Sequence, residues 1–162
     1  QKPMQIYAND MTMEVIIREF PYAFTEKKYP GAPEVDINII NVEPFQIGDI
    51  PITPIPVWHL HMPVLGFRFG KFTYITDANR IDTESRRLIR GSETLVLNAL
   101  RKETHISHFN LDEAVKVIHE LKMPETYLTH ISHQMGKHED VNKLLPNNVA
   151  LAYDEQQLEI KG

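Results

Sequence analysis

Six of the eight histidines in this chain fall in three tight groups, His59/His61, His105/His108 and His130/His133. Each group stands where an apolar, strand-like run gives way to a turn. Imidazole suits Zn, Mn or Fe, and a carboxylate beside it is needed to hold two such ions close together. Asp77 is the candidate carboxylate. It follows the run Phe72-Thr73-Tyr74-Ile75-Thr76, so its side chain can reach the same sheet edge. The residues leave alternatives open. Asp77 could instead cap the turn Asp77-Ala78-Asn79. His59 and His61 would face one side of a continuous strand, whereas His61 would face solvent if the strand ends at His59. His119 and His138 fall on helical stretches away from the three groups and read as exposed. The chain has no cysteine, which excludes a disulfide framework, an iron–sulfur cluster and a thiolate zinc site. Any metal must rest on His, Asp and Glu.

One internal repeat bears on the same residues. Thr104-His105-Ile106-Ser107-His108 recurs as Thr129-His130-Ile131-Ser132-His133, with unmatched flanks. The flanks rule out a solenoid. Each copy follows a predicted strand and precedes a predicted helix. Loops of that kind gather at one edge of an α/β sheet, where ligands bind; the alternative is a chance match between two loops.

The elements that must position these groups read as follows. Met4–Tyr7 is a short strand. Asn9 or Asp10 then caps a helix carrying Met13, Val15, Ile16 and Phe20, which Pro21 stops. The stretch 25–33, with Lys27, Lys28, Pro30 and Gly31, is a solvated loop. Val35–Phe45 reads as strand. Ile52–Trp58, stiffened by Pro51, Pro54 and Pro56, reads as an edge strand. Val64–Phe69 and Phe72–Thr76 form a hairpin across Gly70-Lys71. Thr83–Ile89 is a helix and Thr94–Leu100 a buried strand. Leu111, Ala114, Val115, Ile118 and Leu121 keep helical spacing behind an Asn110/Glu113 capping box. Thr126–Thr129 is a strand, His138–Leu145 a helix, and Val149–Tyr153 with Leu158–Ile160 a closing hairpin. Trp58, Phe67, Phe69, Phe72 and Tyr74 read as core and cross-strand packing. The class is α/β or α+β, with helices on a sheet.

At 162 residues the chain has room for one domain, 1–162. Its 42% apolar and 24% charged residues exclude a disordered tail, a collagen-like repeat and a coiled coil. With 17 Lys+Arg against 22 Asp+Glu, the net charge of −5 argues against a broad nucleic-acid surface. No apolar run reaches membrane-spanning length and no signal segment opens the chain, so we expect a cytoplasmic protein without membrane contact.

Four motifs in order resemble the back portion of a metallo-β-lactamase-superfamily hydrolase. They are Pro56-Val57-Trp58-His59 leading to Gly66-Phe67-Arg68, then Tyr74-Ile75-Thr76-Asp77, then His105-x-x-His108-Phe109-Asn110-Leu111, then Leu128-Thr129-His130-Ile131-Ser132-His133-Gln134. The resemblance covers about 4–160. It points to the branch holding the cyclic phosphodiesterase of phosphonate breakdown, with the tRNA 3′-processing endonucleases as relatives. It implies an αββα sandwich, incomplete at its N-terminus, and two divalent metal ions, Zn or Mn. His59 would be a ligand of the first ion, Asp77 would bridge both and His130 would be a ligand of the second. His108 would be the catalytic residue that contacts phosphate and protonates the leaving group, and His133 would lie just behind the site. His61 and His105 match no ligand position. The family often has glycine where Leu60 stands and near Glu155, departures that touch turn geometry.

The family's HxHxDH loop has no counterpart here, and the chain opens Gln1-Lys2-Pro3. We therefore expect an N-terminal segment to be missing, whether by proteolysis, omission or natural truncation. The metal site in this chain should then be incomplete or empty, and uncovered sheet edges should be paired in a homodimer. The implied activity is a metal-dependent hydrolase, a phosphodiesterase using a water activated by two metals on a small or cyclic phosphate ester, with this chain inactive alone. The alternatives are a tRNase Z-like nuclease and a non-catalytic interaction domain.

Overall fold

The computed structural model describes residues 2–25, 27 and 29–160; Glu26 and Lys28 of the expected loop, and the chain's first and last residues, lie outside them. The chain divides into two compact units, Gln1–Glu43 and Pro44–Gly162.

In the first unit, β1 (Met4–Ala8) and β2 (Val35–Ile39) pair in parallel, from Met4 against Val35 to Ala8 against Ile39. Between them lies α1 (Asp10–Glu19), whose cap is Asn9: its side-chain oxygen accepts from the Thr12 N–H at 2.9 Å. Pro21 does end this helix, but it also opens α2 (Pro21–Phe24), because proline at a first helical position loses no bond the helix needs. The predicted strand 35–45 is broken after Ile39, and only its last residue, Phe45, is strand again, in the second unit.

The second unit is a seven-stranded sheet in sequence order. Its strands are β3 (Phe45–Ile47), β4 (Ile50–His59), β5 (Met62–Phe69), β6 (Phe72–Ile75), β7 (Thr94–Asn98), β8 (Glu125–Thr129) and β9 (Val149–Leu151). The first four run antiparallel, and β6 to β9 run parallel. Three helices of this unit interleave: α3 (Thr83–Ile89), α4 (Leu111–Leu121) and α5 (His138–Asn142). Every residue of β7 is buried, as its unbroken apolar run requires of a central parallel strand. The core gathers Ile55, Ile75, Leu95, Leu97 and Leu128 with Ala114 and Ile118 from α4. The Asn110/Glu113 capping box forms with both bonds at 2.9 Å. Gly70, at φ 58°, turns the predicted hairpin. Gly66 has a different reason: a Cβ there would lie 2.6 Å from Ile75 Cγ1, so only glycine lets β5 pass β6 this closely.

Two expectations are corrected here. Ile52–Trp58 is not an edge in strand order, since β3 flanks it; yet β3 pairs only with Ile50–Ile52. Beyond that, Trp58 turns its N–H and C=O away from β5, to Arg80 and Asn79. Pro56 and Pro54, two and four residues earlier, face that same side, and Ser85 Oγ donates to the Pro56 carbonyl there. The prolines therefore sit where no ladder partner asks for an N–H. The closing hairpin does not form. Strand β9 pairs in parallel with β8 instead, and Leu158–Ile160 is not a strand. Among the described residues, no helix is long and apolar enough to cross a membrane.

Candidate metal centre

Strand direction brings the histidine groups together. β6, β7 and β8 run parallel, so their C-terminal ends share one edge of the sheet. β4 is antiparallel to β5, and β5 to β6, so β4 also ends there. His59 is the last residue of β4, Asp77 stands two past β6, His105 and His108 follow β7, and His130 is the residue after β8. The two copies of the five-residue repeat thus leave adjacent parallel strands at one rim.

The side chains converge. One ligand atom from each of His59, Asp77 and His108 lies within 4.8 Å of the others. Asp77 Oδ1 is 3.2 Å from His108 Nε2 and 3.5 Å from His130 Nε2. The His108 ring meets His59 edge-on and stacks on His130, each at 4.7 Å between centroids. Its other nitrogen, Nδ1, is 3.0 Å from Ser107 Oγ and 3.2 Å from His105 Nδ1. His108 is buried, whereas Asp77 and His130 remain about two-fifths exposed. Imidazole nitrogens beside one carboxylate oxygen are the donor chemistry that Zn or Mn accepts, so the residues present fit such an ion.

The electrostatics follow from this crowding. Burial raises the Asp77 carboxyl, but hydrogen bonds from His108 and Thr76, and then the charges of His130 and His108, outweigh it and leave the carboxyl below its ordinary value. Burial lowers His108 first; the hydrogen bond to Asp77 raises it again, but His130 and His59 push it down, and the net is a lowered value.

Two of the converging residues hold left-handed backbone, Asp77 at φ 56° and His130 at φ 57°. For residues other than glycine this costs about 1–3 kcal/mol each, and the surroundings must enforce it. At Asp77 they do so through Asn98. Its fully buried amide accepts from the Ala78 N–H at 2.9 Å and donates to the Ala78 carbonyl at 2.8 Å. The Phe109 N–H donates to that carbonyl as well. On either side of His130, the Thr129 carbonyl accepts from the Ala99 N–H and the Ser132 N–H donates to the Leu100 carbonyl. Leu60 and Glu155, where the resemblance implies glycine, also have positive φ, 58° and 65°.

Not every residue singled out from the sequence comes in. His61 lies in the exposed turn between β4 and β5, so of the two arrangements open for His59/His61 the strand ends at His59. His133 opens a 3-10 turn, is exposed, and among the described residues has no hydrogen bond, ion pair or ring contact with the cluster; the turn is fixed by Ser132 Oγ accepting from the Gln134 N–H. His119 and His138 are exposed on α4 and α5. His105, which matches no ligand position in the resemblance, is set by the structure against His108. The i, i+3 spacing of His105 and His108 was the available signal. Beside His130, a depression of about 250 Å³ is lined by Thr129, His130, Ile131, Ala152, Tyr153 and Asp154.

Comparison with known proteins agrees with this geometry. A family model described as the β-lactamase superfamily domain matches residues 1–131. A crystal structure described as a new diphosphatase from the PhnP family is 33% identical, with a TM-score of 0.90, over 99% of this chain and 60% of its own. The metallo-β-lactamase fold protein YhfI from Bacillus subtilis is 20% identical with a TM-score of 0.65, over 91% of this chain and 61% of its own. An octanoyltransferase of Porphyromonas gingivalis (strain ATCC BAA-308 / W83) is 28% identical over 155 residues, 94% of this chain but 32% of that protein. The chain therefore spans about a third of its curated relative and three-fifths of the similar diphosphatase. With the match running through the strand ends where these side chains meet, the chain belongs to the β-lactamase superfamily and has the metallo-β-lactamase fold.

Proposed function

We propose that this chain carries part of the centre of a metal-dependent phosphodiesterase acting on a small or cyclic phosphate ester. The observation that carries the reading is one oxygen atom: Asp77 Oδ1 stands within 3.5 Å of two imidazole nitrogens from different loops, at the edge where His59 also ends its strand. Support for phosphoryl chemistry comes from the similar structure named a diphosphatase. The net charge of −5 favours a small ester over a nucleic acid.

In this reading His59 would hold a first ion, Asp77 would stand between two, and His130 would hold the second. Such ions, Zn or Mn, supply Lewis-acid charge to phosphoryl oxygens and make water a nucleophile near neutral pH. His108 is then kept for the substrate. Its Nδ1 is engaged by Ser107 and His105, which leaves Nε2, beside Asp77, as the atom that carries a proton to the departing oxygen. The environment that lowers His108 makes that proton easy to release, and an anionic ester in the site favours loading it. The depression beside His130, with the exposed Tyr153 ring at its wall, would seat the organic part of the ester.

Divided between two ions, these donors leave each with fewer ligands than a closed tetrahedral site needs. We therefore propose that this chain alone binds metal weakly and turns over little. The test measures metal content and hydrolysis of bis-p-nitrophenyl phosphate for this chain and for a longer product of the same reading frame. Zn- or Mn-dependent hydrolysis by the longer product, lost in Asp77→Ala, supports the reading. A metal-loaded longer product without phosphodiesterase activity refutes it.

A further inference from the structure

Asn79 lies at a junction that the donor residues themselves do not explain. Its side-chain oxygen accepts from the Leu60 N–H at 3.0 Å, and its side-chain N–H donates to the Ile106 carbonyl at 3.0 Å. Its backbone N–H donates to the Trp58 carbonyl at 2.8 Å, and Trp58 in turn donates to the Arg80 carbonyl. Trp58 and Leu60 are the two neighbours of His59. Ile106 follows His105 and precedes Ser107-His108. Asn79 itself is two residues past Asp77, behind the Ala78 that Asn98 clamps. One residue thus ties the end of β4 and the loop after β7 to its own segment after β6.

The geometry points to Asn79 as a positioning residue that fixes His59, Asp77 and the His105–His108 loop in one frame. The reasoning is local. Leu60 holds φ 58°, a conformation that leaves its N–H outside the β4–β5 ladder, and the Asn79 oxygen is the partner that holds it there. Ile106 is 73% exposed, so packing of its own side chain does little to place it; its carbonyl is tied to Asn79 instead. Asparagine suits the task because it offers an acceptor and a donor on one short planar group. Aspartate would keep the first bond and lose the second, and alanine would lose both. Residues that orient metal-binding side chains typically change affinity about 10–100-fold when removed.

The inference rests on the metal-site reading for its affinity consequence and on hydrogen bonds alone for its structural one. The two parts are read separately on the 162-residue chain. Amide hydrogen exchange by NMR, without metal, is expected to show Leu60 protected in the wild type and in Asn79→Asp. In Asn79→Ala it should exchange at least about tenfold faster, with the melting temperature within about 3 °C. Titration with Co(II), followed by its visible absorption, is expected to show affinity for Asn79→Ala at least about tenfold weaker than wild type. Equal Leu60 exchange in wild type and Asn79→Ala overturns the inference, as does Co(II) affinity unchanged within about twofold. If Asn79→Ala does not fold, Asn79→Asp decides: fast Leu60 exchange there overturns the inference, and retained protection with an altered Co(II) spectrum upholds it. If the 162-residue wild type takes up no Co(II), as the weak binding proposed above allows, the exchange data alone decide whether Asn79 holds the loops, while the metal-site reading is decided on the longer product.

Discussion

Replacing Asn98 with alanine removes both bonds that hold Ala78 in place behind Asp77, and the cost can be worked from the structure. Ala78 and Asn98 are both fully buried, so no water replaces what is lost. The Ala78 N–H has Asn98 Oδ1 as its partner, and stranding it costs about 1–3 kcal/mol. The Ala78 carbonyl keeps the Phe109 N–H at 2.8 Å, so its share is about 0.5–1.5 kcal/mol. The space left by the amide adds about 1 kcal/mol. The sum centres on about 4 kcal/mol, a fall in melting temperature of about 10 °C for a chain of this length. Thermal and urea unfolding followed by circular dichroism measure it; a loss below about 1 kcal/mol would refute the clamp. Asn98→Asp sharpens the test through its pH dependence. The introduced carboxyl still accepts from the Ala78 N–H, but its other oxygen meets the Ala78 carbonyl with no hydrogen between them unless it is protonated. Its folded pKa is thus raised above the unfolded value of about 3.9. Stability relative to wild type is then fully present below that unfolded value and lost as pH rises through the folded one. A difference between Asn98→Asp and wild type that stays flat with pH would show that the amide N–H is not bonded to Ala78.

Further outcomes follow from the same contacts. His108 has its pKa lowered by burial and by its histidine neighbours, so the unfolded chain binds the extra proton first. The metal-free protein should be fully stable above pH about 6.5 and lose stability as pH falls below it; a melting temperature that rises on acidification from pH 7.5 to 5.5 contradicts this. Asp77, held low on balance by its hydrogen bonds and charged neighbours against burial, adds stability that persists above its ordinary carboxyl range and is lost as pH falls further. Leu60→Gly should relieve the left-handed backbone at φ 58° and raise stability by up to about 1 kcal/mol, measured by urea unfolding; the same change at His61, whose φ is not positive, should bring no gain. In a longer, active product, Tyr153→Ala should raise KM several-fold with kcat retained. A fall in kcat alone would move Tyr153 out of the substrate seat beside His130.

Much of the second unit is legible in the sequence because each element carries its own local signal. The Gly70-Lys71 pair demands a hairpin, Asn110 and Glu113 demand a helix start, and the apolar run 94–98 demands burial on both faces. The meeting of His59, Asp77, His108 and His130 is legible for a related reason: each ends or follows a strand, and parallel order then sends them to one edge. The misread parts lack such signals. Residues 158–160 are apolar enough for a strand, and a turn at Asp154-Glu155 precedes them, but β9 takes β8 as its partner in parallel. The run 35–45 hides its break because Val42, an exposed apolar residue in the connection, imitates strand patterning.

The bracing of the site is the part that no sequence pattern announces, and physics explains why. A donor residue is recognisable by its chemistry, since few side chains other than histidine and the carboxylates suit a hard or borderline cation. A bracing residue is recognisable only by what surrounds it. Asn98 reads as a polar residue inside the apolar run 94–100, and Asn79 as an ordinary turn residue. Both become informative only once burial and distance show that their amides are spent on the backbone of Ala78, Leu60 and Ile106. The strain needs these braces: Leu60, Asp77 and His130 all hold left-handed backbone without glycine. A chain that placed glycine at Asp77 or His130 would lose the donor itself, so the conformational cost is carried there and offset by neighbours. Leu60 is the exception, because it contributes no donor. Relaxing it with glycine should therefore leave the donor frame intact as long as Asn79 still holds its N–H.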